Sequence, residues 1–342
     1  MNSLTDYEIQ QAILPWVTAE LKMSVTSTIK EFKRHTEGWS WQTYTFIVED
    51  GRKQKGVAIR RQPEDGLLAP YDIVGQYNLH KALLDFSKVS VPELIGLEMS
   101  NTVLGMPFYA MSKINGLIPV QWNPDDPAVF PTPLARRQLA EDFVSNLVSI
   151  HSADIKHFEF LKFGSNSQEC TNIQLERWER SYAESFLHDV PLIRLAFRWL
   201  RDHMPDDTRL GLCHGDYRIG NFITDQSKIV AILDWELAHI GDVVSDISWA
   251  GLPLFRGRSP LFSHLCTRDE FLGLYNELSG RQVSAESLNY WNVFNLIKAA
   301  VPHIRAAKAF EDGRSSDLRL AAMGHQVIHT IKHLVVALEE VV

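Results

Sequence analysis

At 342 residues with 45% hydrophobic side chains, the chain is long for one core and apolar enough to bury two, so two lobes, 1–112 and 113–342, are expected. A net charge of −8 with no dense Lys/Arg run argues against a nucleic-acid partner, and Cys170, Cys213 and Cys266 form neither a disulfide framework nor a metal-binding spacing. The first residues, with Asp6 and Glu8, are unlike a secretory leader, and no run of about eighteen apolar residues marks a membrane span, so a soluble, cytoplasmic protein is expected.

In chain order, Ile9, Ile13, Val17 and Leu21 recur at helical spacing and predict an amphipathic helix. Gly38 and Ser40 lead into a β-rich run at 41–48, and a polar turn over 49–56 leads to a second run at 57–61 that carries Arg60. By pattern alone this is an ordinary hairpin. A helix over 71–86 contains Gln76; 91–96 reads as a helix end passing into a strand, and 106–111 as an apolar strand ending at Met111. Ser112 and Ile114 follow, and Asn115-Gly116 marks a turn.

The Pro-rich stretch 119–133 reads as a loop, and beyond it the chain is mostly helical. Helix 134–151 places Leu139, Phe143, Leu147 and Ile150 on one face and ends at His151, read as a packed core residue or cap. Helix 175–187 carries the stripe Trp178, Tyr182 and Phe186, and further helices are expected over 192–203, 268–278, 285–307 with a kink at Pro302, and 318–340.

The stretch 213–236 carries chemistry. Asp216 sits in a polar loop after the short apolar run 210–213, Asn221 follows five residues later before a second run at 222–224, and Asp234 ends a third, continuously apolar run at 229–233. A loop clamped between short strands holds its side chains still. Transfer of a γ-phosphoryl group asks a protein mainly for positioning and charge neutralisation, with a carboxylate to accept the acceptor hydroxyl's proton and oxygen ligands to hold magnesium on the phosphates. Asp216 suits the first task. Asn221 and Asp234, an amide oxygen and a carboxylate, suit the second. The planar fork of Arg218 suits the transferring phosphate.

His214-Gly215-Asp216-Tyr217-Arg218-Ile219-Gly220-Asn221, then Ile232-Leu233-Asp234-Trp235-Glu236 and Gly241-Asp242-x3-Asp246, resembles the aminoglycoside phosphotransferase and choline kinase superfamily, closest to the small-molecule kinase branch also found fused to acyl-CoA dehydrogenases. The first block answers the protein-kinase pattern His-Arg-Asp-x4-Asn with Gly in place of Arg. The resemblance implies an α+β, two-lobed protein-kinase-like fold, a small antiparallel-sheet N-lobe and a mostly helical C-lobe, with ATP as co-substrate and Mg2+ between them. It also implies that His214 and Asp246 brace the catalytic loop and that Asp242 is a brace as well. The hairpin becomes a nucleotide clamp, with Ser40 and Arg60 at the phosphates. Met111 packs behind the adenine, and the backbones of Ser112 and Ile114 meet its edge. Gln76 stands where a glutamate would pair with the basic strand residue, and since a neutral amide cannot neutralise Arg60, the phosphates or another acid such as Glu98 must.

The acceptor is expected to be a small molecule bearing a hydroxyl. Polycationic antibiotics need acidic surfaces, yet 251–285 sets Arg256, Arg258, Arg268 and Arg281 against Asp269, Glu270 and Glu277. A neutral or anionic acceptor fits better, and the branch resemblance suggests a hydroxyacyl thioester, with Arg256 and Arg258 as candidate contacts. Alternatives are an aminoglycoside kinase, a non-catalytic nucleotide-binding kinase fold favoured by Arg60 with Gln76, and a metallohydrolase using His214, Asp216, Asp234 and His239.

Overall fold

The computed structural model describes residues 4–35, 40–51, 53–63, 68, 70–186, 188–205 and 209–341, so the glycine read at the mouth of the hairpin, Gly38, lies outside the described residues. The chain divides into two compact units, Met1–Leu84 with Val91–Asn115, and Asp85–Ser90 with Gly116–Val342.

In the first unit, α1 (Asp6–Glu20) starts at a Thr5–Glu8 capping box. Its Ile9, Ile13 and Val17 pack on a five-stranded antiparallel sheet of order β1-β2-β3-β5-β4, formed by β1 (Thr28–His35), β2 (Gln42–Glu49), β3 (Gln54–Arg61), β4 (Leu94–Glu98) and β5 (Phe108–Ser112). Period-2 alternation along β2 turns Tyr44, Phe46 and Val48 toward α1. Ala58, Tyr109 and Met111 join Trp41 and Ile73, the first residue of α2 (Ile73–Phe86), in a second apolar cluster. The anticipated hairpin is β2–β3, with its strands extended to Glu49 and Gln54. β1 has no counterpart in the expected elements.

The second unit is built on α3 (Pro133–His151), α4 (Ser167–Ser185), α5 (Pro191–Asp202), α6 (Val244–Ala250), α7 (Arg268–Ser279), α8 (Ala285–Glu311) and α9 (Leu318–Glu339), with two ribbons, β6 (Leu210–Cys213) paired to β9 (His239–Asp242) and β7 (Phe222–Asp225) paired to β8 (Lys228–Ile232). α4 begins well before its aromatic stripe because Asn166 caps it, accepting from the Glu169 N–H, and Phe186, past the helix end, is exposed rather than core. α8 runs on as one helix through Pro302, buried over most of its length, with α4, α5, α6 and α9 packed against it. A helix whose middle turns are buried on every side belongs inside a lobe. No helix of the described residues is long and apolar enough to cross a membrane.

Candidate active site

β6 runs out into the loop 214–221, and the loop is held by one carboxylate. Asp246, 1% exposed on the short helix α6, accepts the N–H of His214 on Oδ2 at 2.6 Å and that of Gly215 on Oδ1 at 2.8 Å. Behind it, the Tyr275 hydroxyl lies 2.8 Å from His151 Nδ1, and His151 Nε2 lies 3.3 Å from Asp246 Oδ2. Burial pushes the Asp246 pKa up, but the His151 hydrogen bond and the Lys298 charge outweigh it and hold the carboxyl well below the usual carboxylate range. His151 is thus a buried support at the end of α3, not a ligand.

His214 joins this loop to the strand that precedes Asp234. Its Nδ1 accepts the Asp216 N–H at 3.1 Å, which leaves Nε2 as the protonated nitrogen donating to Leu233 O at 2.8 Å. Burial lowers its pKa, consistent with a neutral ring. With both nitrogens committed, His214 cannot ligate a transition metal, which corrects the metallohydrolase alternative. His239 bonds through Nδ1 only, 2.9 Å from Leu237 O, and among the described residues no group of three or more His, Cys, Asp or Glu side chains is arranged to hold a metal ion.

Asp216 is aimed by three donors. Oδ1 accepts from Arg218 Nε at 2.8 Å and from Trp249 Nε1 at 2.6 Å, while Oδ2 accepts from Asn221 Nδ2 at 2.6 Å. Asn221 Nδ2 also donates to the Asp216 carbonyl at 2.8 Å. Two acceptors on one side of the amide fix its orientation, so Asn221 Oδ1 is turned away from Asp216 as a hard oxygen donor. Arg218 spends Nε on Asp216 and Nη1 on Ile219 O, and its guanidinium stacks 4.7 Å from the Phe255 ring centroid. Its donors left for a phosphate are the second Nη1 hydrogen and the two on Nη2.

The β7–β8 hairpin brings Asn221 opposite Leu233, the residue before Asp234. Gln226 and Ser227, both with positive φ (47° and 64°), form the two-residue turn, and a one-residue bulge between the Thr224 and Ile223 pairs then shifts the register to Phe222↔Ile232. One step beyond the strands, the Leu233 N–H donates to Asn221 O at 2.8 Å. Leu233 is thereby clamped on both peptide groups, by Asn221 and by His214. Asp234 comes next with φ 68° and ψ 53°, a left-handed conformation that Asp tolerates better than most residues.

The first unit carries the residues expected at the nucleotide. Arg60 projects from β3 with its guanidinium 5.4 Å from the Trp41 ring centroid, and Ser40 Oγ lies 3.5 Å from the Tyr71 hydroxyl. Among the described residues the Gln76 side chain makes no hydrogen bond, so the pairing with Arg60 that its position suggests is not made. Glu98, the other acid considered for Arg60, is instead committed to its own turn, accepting the Ser100 N–H at 2.7 Å. Met111 packs in the Trp41 cluster. The Ser112 N–H donates to Glu93 O at 2.8 Å, so its carbonyl is the backbone group left for an adenine edge, whereas the Ile114 N–H makes no hydrogen bond among the described residues.

Two groups at the catalytic loop escape the sequence reading. Trp249 donates to Asp216, and Lys298 of α8 donates from Nζ to the Gly215 carbonyl while lying 4.3 Å from the Trp249 ring centroid. Neither has a local motif; only the Trp at the end of the Asp242–Asp246 block stood close to one. Arg256, offered as an acceptor contact, is used inside its own loop, donating to Pro260 O at 3.1 Å and stacking 5.6 Å from the Phe262 ring centroid. Arg258 is exposed.

Residues 31–275 match the sequence pattern of the phosphotransferase enzyme family APH. The chain is 28% identical over 229 residues, 66% of its length, to acyl-CoA dehydrogenase family member 10 of Mus musculus. It spans about a fifth to a third of the length of that protein and of the Arabidopsis thaliana acyl-CoA dehydrogenase relative it also matches. A structure from Ralstonia eutropha, assigned to the aminoglycoside phosphotransferases, superposes with a TM-score of 0.73 at 21% identity, covering 96% of this chain and 98% of that one. The choline kinase LicA from Streptococcus pneumoniae, also solved with AMP, gives 0.63 at 12% identity, covering 96% and 99%. At these identities the structures establish the kinase-like fold.

Proposed function

The chain belongs to the APH phosphotransferase enzyme family, and on that premise we propose that it transfers the γ-phosphoryl group of ATP to a hydroxyl of a small molecule. The observation that carries the reading is the Asp216 carboxylate, aimed by Trp249, Arg218 and Asn221 on a loop that Asp246 fixes. Asp216 accepts the acceptor's hydroxyl proton as its oxygen bonds to the γ-phosphorus and the bond to the bridging oxygen of ADP breaks. The donor set fits a hard cation, since Asn221 Oδ1 is turned outward and Asp234 directly follows the Leu233 that pairs with Asn221; magnesium held by the two would neutralise phosphate oxygens. Arg60, Ser40, Met111 and the backbones of Ser112 and Ile114 serve the nucleotide.

For the acceptor we favour a neutral or anionic hydroxyl compound, in particular a hydroxyacyl thioester. Supporting this are the mixed charge of 251–285 and the acyl-CoA dehydrogenase names of the matched relatives. The unpaired amide of Gln76 favours a second reading, nucleotide binding without turnover. Magnesium-dependent ATP consumption measured with hydroxyacyl thioesters, aminoglycosides and choline, with the phosphomonoester product followed by 31P NMR, separates these readings. Nucleotide-induced thermal stabilisation with no product from any acceptor would favour the second, and no stabilisation at all would end both. Arg60→Ala should raise the KM for ATP about tenfold or more, as expected for losing a charge-assisted hydrogen bond, with kcat little changed. An unaltered KM would place Arg60 outside the phosphate site.

A further inference from the structure

We propose that Lys298 is a positioning residue for phosphoryl transfer: from α8 its ammonium group fixes the Gly215–Asp216 peptide and, through Trp249, supports Asp216 as a proton-accepting carboxylate. The proposal deepens the phosphotransferase reading and rests on it for the kinetic part of its test.

Lys298 is 4% exposed, and no other lysine or arginine among the described residues is as buried. Burying an ammonium ion is costly unless it is paired. Among the described residues Lys298 has no carboxylate within ion-pair distance; its partners are the Gly215 carbonyl and the face of Trp249. A cation–π contact and one hydrogen bond offset that cost only in part. A position that disfavours its own charge on stability grounds is explained if the charge serves the loop.

The geometry shows how. Gly215 has φ +82°, and a Cβ there would meet Leu237 O at 2.2 Å, so the second position of the motif is closed to the arginine that stands there in the protein-kinase pattern. The cation arrives instead from a helix 83 residues downstream in sequence. Asp246 takes the Gly215 N–H and Lys298 takes the Gly215 C=O, so the residue before Asp216 is held at both ends. Trp249 presents its face to Lys298 and its N–H to Asp216 Oδ1, and a cation over the indole polarises that N–H toward the carboxylate. Lys298 also belongs to a polar stripe on an otherwise apolar helix. Trp291 donates to Asp242 Oδ2 at 2.6 Å and Asn295 to Ser245 O at 2.8 Å, so positions i, i+4 and i+7 all engage the loop and its supports.

The ionisable groups around the ammonium are Asp216, Asp246, Cys213, His239 and, as a second cation, Arg177. Burial lowers the Lys298 pKa to about 8, with the two carboxylates and the Cys213 thiol opposing and Arg177 reinforcing the shift. The ammonium is therefore present at neutral pH and is lost as pH rises through that value.

The test uses the full chain with Lys298→Met and Lys298→Arg. At neutral pH, Lys298→Met should lower kcat about 10- to 100-fold with the KM for ATP little changed, as for a displaced catalytic group. Wild-type kcat should fall above pH 8, and Lys298→Arg, which stays charged, should keep activity and lose that alkaline fall; an alkaline fall that persists in Lys298→Arg overturns the proposal. Hydrogen–deuterium exchange of the 210–222 peptide is read in parallel, corrected for intrinsic rates. It should rise in Lys298→Met at neutral pH, and in the wild type above pH 8, while the melting temperature of Lys298→Met does not drop. Equal protection in both proteins overturns the positioning role whatever the activity. A protection difference in a protein that phosphorylates nothing would instead retain the role in the loop and remove the enzymatic reading.

Discussion

Asp216→Asn should cut magnesium-dependent phosphoryl transfer about 10²- to 10⁴-fold, the range by which a positioned general base contributes. The substitution is nearly isosteric, and the acceptor roles of Asp216 toward Trp249 and Arg218 can be kept by the remaining amide oxygen. The new NH2 group then faces Asn221 Nδ2, donor against donor, so a modest loss of loop order accompanies the chemical defect. Asn221 retains its second bond to the Asp216 carbonyl, which limits that loss. The measurement is product formation under single-turnover conditions, where the chemical step is visible apart from product release. Equal rates for the two proteins would rule out catalysis by this loop.

Asp234→Ala should abolish magnesium-dependent nucleotide binding while the fold persists. The residue is half-buried beyond the end of β8 and contributes little to the core, so its loss removes a metal donor rather than packing. The weakening should exceed the roughly 10- to 100-fold that losing an outer-shell partner costs a metal site. Asp234 holds a left-handed backbone that Ala accepts at a cost of about 1 kcal/mol. Asp234→Asn, which tolerates that conformation, separates backbone strain from loss of the ligand. Calorimetric titration with nucleotide, with and without magnesium, reads the outcome, and unchanged magnesium dependence in both variants would refute the assignment.

What was legible in the chain was what lies close together along it. Asp216, Arg218 and Asn221 fall within one loop and Asp234 follows after a short turn between apolar runs, so these four candidates stand out by spacing, whereas Ser40, Arg60, Met111, Ser112 and Ile114 are candidates only through the resemblance. The helices of the second unit show in their periodicity to within a few residues, except α4, whose cap Asn166 lies far from the apolar stripe, and α6, which at seven residues is too short to display a period. β1 was invisible because Lys30, Glu31, Lys33 and Arg34 give it the polarity of a loop. It is an edge strand, and charge along an edge discourages pairing with other chains. Lys298 lies within the expected helix 285–307, where no neighbouring residue marks it out. Its partner lies 83 residues away, and no local pattern encodes a contact of that range. Ser112 shows the same limit, because the strand that consumes its N–H enters through Glu93.

Leu233 has no reactive group, yet it rivets the chain before Asp234 to the loop of Asp216. Its N–H donates to Asn221 O and its C=O accepts from His214 Nε2, so the backbone there cannot move away without breaking a hydrogen bond. A displacement at this one apolar residue is therefore felt at both ends of the 214–221 loop.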